Sequence, residues 1–151
     1  MNVKVVATNR KAKFEYFLLE SFEAGLALKG SEIKSIRAGQ VSLTEAYVRV
    51  DDPHNAFLME AHFAPYEQAN RFNHEPKRPR RLLLHKREIH ELWDAVRQKG
   101  VTIIPTRIYL KDGRAKLEIA IAKGKKLYDK REAIARRDAE REQQREARRG
   151  E

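Results

Sequence analysis

Two strand-length runs, VTIIPTRIYL and RAKLEIAIA, flank Lys111-Asp112-Gly113 within residues 101–122. A type I′ hairpin reverses the chain in two residues that both take positive φ, and an Asp-Gly pair suits that demand. Alternation then assigns the sides: Leu117, Ile119 and Ile121 face one way, Lys116, Glu118 and Ala120 the other. A hairpin with one apolar face needs further sheet or helix to cover it, so this segment points to an antiparallel β domain.

The remaining segments extend that reading. KFEYFLLESFEAGLALKG (13–30) reads as a long first strand, with Phe14, Tyr16 and Leu18 alternating with Glu15 and Phe17 and a bend expected near Gly25. GSEIKSIRAGQ (30–40) reads as a short helix with Ser31 as N-cap, Ile33 and Ile36 on one face and a stop at Gly39. LTEAYVRV and AFLMEAHF (43–50 and 56–63) form a strand pair around the polar turn DDPHN. HKREIHELWDAVRQKG (85–100) places Ile89, Leu92, Trp93 and Val96 at helical spacing, with Glu88 in the first turn and Gly100 as the stop. Five or six antiparallel strands with two or three flanking helices fit a mainly β fold, a small closed Greek-key barrel of the oligonucleotide-binding type. The expected domain covers residues 1–122, followed by a tail over 123–151.

Apolar content collapses in that tail, yet the glycine and proline of a loose linker are nearly absent. From Lys123 onward eleven basic residues face seven acidic ones, a net charge of +4. Glu132 and Arg136 form a favourable i,i+4 pair worth about 0.2–0.5 kcal/mol, while Arg137/Arg141 and Glu142/Glu146 oppose it. Such pairs fall short of an ordering cost of roughly 1–2 kcal/mol per residue, so the tail is expected to be disordered when free and helical when bound.

The whole chain carries a net charge of +10, and its field favours polyanions. No apolar run reaches the roughly 18 residues a membrane span needs, and no basic stretch carries a bulky interfacial face. A soluble cytoplasmic protein with a nucleic-acid partner is therefore expected. The absence of cysteine excludes disulfides, thiolate nucleophiles and cysteine-rich zinc sites. No P-loop, HExxH or nucleophile elbow is present, so neither enzymatic activity nor a metal or cofactor site is expected.

Three regions concentrate the positive charge. ATNRKAKFEY carries Arg10, Lys11 and Lys13 beside Asn9, although a solvated N-terminal arm needs no function. NRFNHEPKRPRRLLLHKRE interleaves Arg71, Lys77, Arg78, Arg80, Arg81, Lys86 and Arg87 with Phe72, Asn73 and His74. Cations neutralise phosphates while rings and amides stack on or hydrogen-bond to unpaired bases, a mixture suited to RNA loops. Its bland alternative is a proline-broken, solubilising surface loop. The third region is the tail itself.

ATNRKAKFEYF, FEAGLALKGSEIKSIRAG, PYEQANRFNHEPKRPRRLLLHKRE and GRAKLEIAIAKGKKLYDKRE together resemble the SsrA-binding protein family, the bacterial partners of transfer-messenger RNA. The blocks match in order from Ala7 into the tail. The resemblance implies a monomeric, non-enzymatic protein that binds the tRNA-like domain of that RNA, stands in for its missing anticodon arm, and delivers it to stalled ribosomes for trans-translation. It implies that Glu23, Leu83 and His85 grip the tRNA-like elbow. Asn9, Arg10, Lys11, Arg71, Asn73, His74, Arg80 and Lys86 are the accompanying RNA-binding candidates. Gly124, Lys125 and Lys126 resemble the hinge of the tail, and Tyr128, Asp129, Lys130 and Arg131 the segment that enters the decoding centre and the empty message channel. His85 stands where some relatives have asparagine; both hydrogen-bond to bases, but only histidine changes charge near neutral pH.

Overall fold

A computed structural model describes residues 2–65 and 73–125. The candidates Arg71, Lys126, Tyr128, Asp129, Lys130 and Arg131, together with the expected behaviour of the tail, lie outside the described residues. Among the described residues the order is β1 (Val3–Thr8), α1 (Lys11–Glu15), β2 (Tyr16–Leu26), α2 (Gly30–Arg37), β3 (Val41–Ser42), β4 (Tyr47–Asp52), β5 (Asn55–Met59), β6 (His62–Phe63), β7 (Arg80–Leu83), α3 (Lys86–Val96), β8 (Val101–Lys111) and β9 (Arg114–Gly124).

The β8–β9 hairpin organises the sheet. Asp112 and Gly113 have φ of 50° and 81°, the double positive that a tight primed turn demands. β9 pairs along the length of β8, while the other edge of β8 is shared between β4, through Val48↔Ile103, and β1, through Val3–Thr8 against Lys111–Arg107. Pro105 lacks an amide donor, and the β8–β9 register shifts between Pro105 and Arg107, where such a residue is tolerated. From β4 the pairings continue through β5, β7 and β2 back to β9, so the antiparallel ladders form a circuit with β1 attached outside it. β3 and β6 pair separately.

Leu117, Ile119 and Ile121 turn inward as expected, onto Phe22 and Ala24 of β2, Val48 and Val50 of β4, Leu58 of β5, Leu82 of β7 and Leu92 of α3. Ala120, expected on the outer side, is also buried. Beside it α1 lays Ala12 on Ile104 and Ala122, covering part of the outer surface.

Several expected boundaries move. The first strand starts at Tyr16, because residues 11–15 fold as α1, and β1 precedes both. The irregularity in β2 falls between Leu18 and Glu20 rather than at Gly25. Gly25 pairs on both sides, with Leu83 and Lys116, and its missing side chain admits β7: a Cβ there would lie 3.2 Å from the Leu83 Cβ. Helix α2 is capped at Lys29, whose N–H donates to Glu32 Oε1 at 2.8 Å, and Ser31 lies inside it. The strand pair forms around DDPHN, where Asp52 Oδ1 accepts the amides of His54 and Asn55 at 2.7 and 2.9 Å. Glu60, at φ 58°, breaks the second expected strand into β5 and β6. Helix α3 buries Ile89 and Leu92 but ends at Val96, and Gly100, at φ 79°, serves the turn into β8. Among the described residues no helix is long and apolar enough to cross a membrane.

Candidate nucleic-acid interface

β7 lies inside the basic, proline-containing run that reads as a loop. Its sequence Arg80-Arg81-Leu82-Leu83 alternates buried, exposed, buried, exposed, so an arginine takes a core position and a leucine an outer one. The pairing of Gly25 with Leu83 sets β7 beside β2, and His85 follows as the N-cap of α3, its N–H donating to Glu88 Oε1 at 3.0 Å. Residues distant in sequence thereby meet: Glu23, Arg81, Leu83, His85 and Lys116 line one open groove of about 450 Å³. Leu83 stands up at its edge, 54% exposed.

Glu23 is held from below. The Tyr109 hydroxyl donates to its Oε2, and Lys111 Nζ donates to Oε1 at 3.4 Å. The tyrosine bond is the main reason its carboxyl titrates below the ordinary range. Burial, and then the neighbouring carboxylate, push the Tyr109 hydroxyl well above its usual value, so it remains a donor through the physiological range. A fixed carboxylate on a basic surface repels phosphate. It suits the donors of a base edge or a ribose 2′-hydroxyl.

Arg80 and His74 do not reach this surface. Arg80 is fully buried: Nε donates to Glu32 Oε2 at 2.6 Å, Nη1 to the Ala61 carbonyl at 2.9 Å and Nη2 to the Pro76 carbonyl at 3.0 Å. Its guanidinium lies 3.9 Å from the centre of the Phe63 ring. Arg78 completes the cluster, donating to Glu32 Oε1 at 2.5 Å. Burial drives the Glu32 carboxyl up, but bonds from Arg78, the Lys29 amide and Arg80 outweigh it and hold it below the ordinary range. Burial likewise lowers Arg80, against the pull of Glu32. His74 is fixed between Ser31 Oγ and the Phe63 carbonyl, each at 2.8 Å. Asn9 also turns inward, its amide nitrogen donating to the Pro105 carbonyl at 3.0 Å. All three side chains are held inside the fold, whereas Arg81, beside Arg80, is the outward arginine of β7.

Arg10, Lys11 and Lys86 are exposed and Asn73 is half-buried. Lys11 lies just before a patch of exposed large side chains that strand alternation does not predict: Phe14, Phe17 and Leu19 are 78%, 45% and 62% exposed. Lys125 closes onto this patch, its N–H donating to the Glu15 carbonyl at 2.7 Å and its ammonium lying 4.8 Å from the Phe17 ring centre. Gly124 pairs with Tyr16, so the hinge candidates Gly124 and Lys125 leave the sheet here. The available signal was excess: KFEYFLLESF holds more large apolar residues than one strand face buries. At a rise of about 3.3 Å per residue, Phe17 and Glu23 lie roughly 20 Å apart along β2.

The family model described as SmpB protein matches residues 6–149. The chain is 59% identical over 145 residues to the SsrA-binding protein of Desulforudis audaxviator, covering 96% of this chain and 94% of that protein. It is 57% identical over 142 residues to the SsrA-binding protein of Pelotomaculum thermopropionicum, covering 94% and 92%. A chain in a solved structure described as "tmRNA-SmpB: a journey to the center of the bacterial ribosome" superposes with a TM-score of 0.67 at 44% identity, over 80% of this chain and 85% of that one.

Proposed function

This chain belongs to the SmpB protein family, and from that premise we propose that it binds the tRNA-like domain of transfer-messenger RNA and carries it to stalled ribosomes in the cytoplasm. The family is one of RNA-binding proteins, not enzymes. The supporting observation is the convergence of Glu23 with Leu83 and His85 on one groove, although they come from separate sequence blocks. In this reading the groove takes the elbow of the tRNA-like domain: Glu23 accepts from base or ribose donors, Leu83 packs against an unstacked base, and Arg81 and Lys116 neutralise phosphate.

The domain over residues 1–122 and the tail divide the work. Residues 123–151 carry a net charge of +4 and suit a channel lined by RNA phosphate, so they sense whether message fills it. The exposed Phe14 and Phe17 rings, beside the root of the tail, offer a stacking surface for decoding-site bases. Replacing Asp129, Lys130 and Arg131 together should leave affinity for free transfer-messenger RNA nearly intact and abolish peptide tagging. Glu23→Ala should lower RNA affinity first, and competition by ordinary tRNA at physiological salt should be weak. A large loss of free-RNA affinity in the tail variant would refute the division, and equal competition by ordinary tRNA would reduce the protein to a general RNA binder.

A further inference from the structure

Leu83 has a groove on each side. Beyond the one containing Glu23, a second of about 400 Å³ is lined by Leu28, Ile33, Arg37 and Arg114, and the two share Gly25, Leu83 and Lys116. Their chemistry differs. The first contains the carboxylates Glu23 and Glu88; the second is lined by three cations, Arg37, Arg114 and Lys116, and no acidic residue. Its floor is apolar, formed by Leu26, Leu28 and Ile33, each half-buried. Arg37 ends α2 and Arg114 opens β9; both are exposed, and neither forms an ion pair among the described residues.

We propose that this second groove is a further RNA subsite, in which an unstacked nucleotide next to the one at Glu23 lays its base on Leu28 and Ile33 and its phosphate between Arg37 and Arg114, with Leu83 as the wedge between the two. The inference rests on the Glu23 groove being the RNA site. Charge complementarity and continuity across Leu83 select the occupant. A base offers an apolar face to the floor, and its phosphate meets Arg37 and Arg114, which pair with no carboxylate among the described residues. Gly25 keeps the wedge in place, because any side chain there would push against the base of Leu83.

The test compares Arg37→Gln, Arg114→Gln, the double variant, Glu23→Ala and a control at an exposed cation outside both grooves, Lys4→Gln, in the full-length protein. Dissociation constants for the tRNA-like domain are measured across a salt series, with urea midpoints checking the fold. Each arginine variant should lower the slope of log affinity against log salt by about 0.7–0.9, and the double variant by about twice that. Affinity at physiological salt should fall severalfold while the control stays close to wild type. If the double variant matches the control while Glu23→Ala weakens binding, the second subsite is refuted and the first groove stands. If Glu23→Ala and the double variant both bind like wild type, the groove reading fails and takes this inference with it.

Discussion

Arg80→Met should cost stability and leave RNA recognition intact, although the residue sits in the most basic stretch of the domain. The substitution keeps a long apolar side chain over Phe63 but removes the bonds to Glu32, the Ala61 carbonyl and the Pro76 carbonyl. Breaking a buried ion pair from one side costs about 3–5 kcal/mol, because the remaining charge loses its partner in a dry environment. Here Arg78 and the Lys29 amide still hold Glu32, which places the expected loss near the lower end, about 3 kcal/mol. With a urea dependence of about 1.5 kcal/mol per molar, the unfolding midpoint falls by roughly 2 M. Arg81→Met is the matched comparison: exposed and lining the Glu23 groove, it should leave the midpoint almost unchanged and weaken binding to the tRNA-like domain, with a salt slope smaller by about 0.7–0.9. An Arg80→Met protein with wild-type stability would refute the account of the buried cluster. So would one that is fully folded at the assay temperature yet has lost RNA affinity.

Tyr109→Phe releases the Glu23 carboxylate from its hydroxyl donor, and ordering that side chain on binding should then cost about 0.5–1.5 kcal/mol, a two- to tenfold loss of RNA affinity; wild-type affinity in this variant alongside a weakened Glu23→Ala would refute the positioning. Glu23 and Glu32 both titrate below their ordinary value of 4.5, so the stability they add is present above that pH and is lost as pH falls through their folded values. Urea midpoints should therefore be nearly level from pH 7 to about 5 and drop below about 4.5, and Glu32→Gln should start lower at neutral pH and fall less on acidification.

The parts of the fold legible in the sequence are those written in local rules. Asp112-Gly113 announced its hairpin because few pairs take two positive φ angles, and Leu117, Ile119 and Ile121 carried their side of the sheet through simple alternation. The stripe of α3 was equally plain, although only the turn geometry explains why Gly100 lies beyond the end of the helix. β7 was hidden for the opposite reason. Its inward arginine reads as a surface residue until α2 supplies Glu32, a partner 48 residues away that no local pattern announces. β1 and α1 are short segments held by β8 and by the Ala12–Ile104–Ala122 contact, so their stability comes from tertiary packing. In the candidate site, the family blocks singled out Glu23, Leu83 and His85, and the fold brings them together. His74, Arg80 and Asn9 carry RNA-binding chemistry in the sequence, but the fold buries them. Tyr109, which fixes Glu23, carries no local signal, because it lies 86 residues along the chain on β8 and meets β2 across β9.

β7 is fastened more like a rivet than a plank. It shares two residue pairs with β2 and two with β5, while its underside is clamped by the Arg80–Glu32 cluster. A four-residue strand with so few rungs takes much of its stability from the clamp. What secures this wall of the groove therefore lies on its inner side, while Arg81 and Leu83 form the outer one. One short strand thus lets stability and recognition change separately, through Arg80 on one side and through Arg81 and Leu83 on the other.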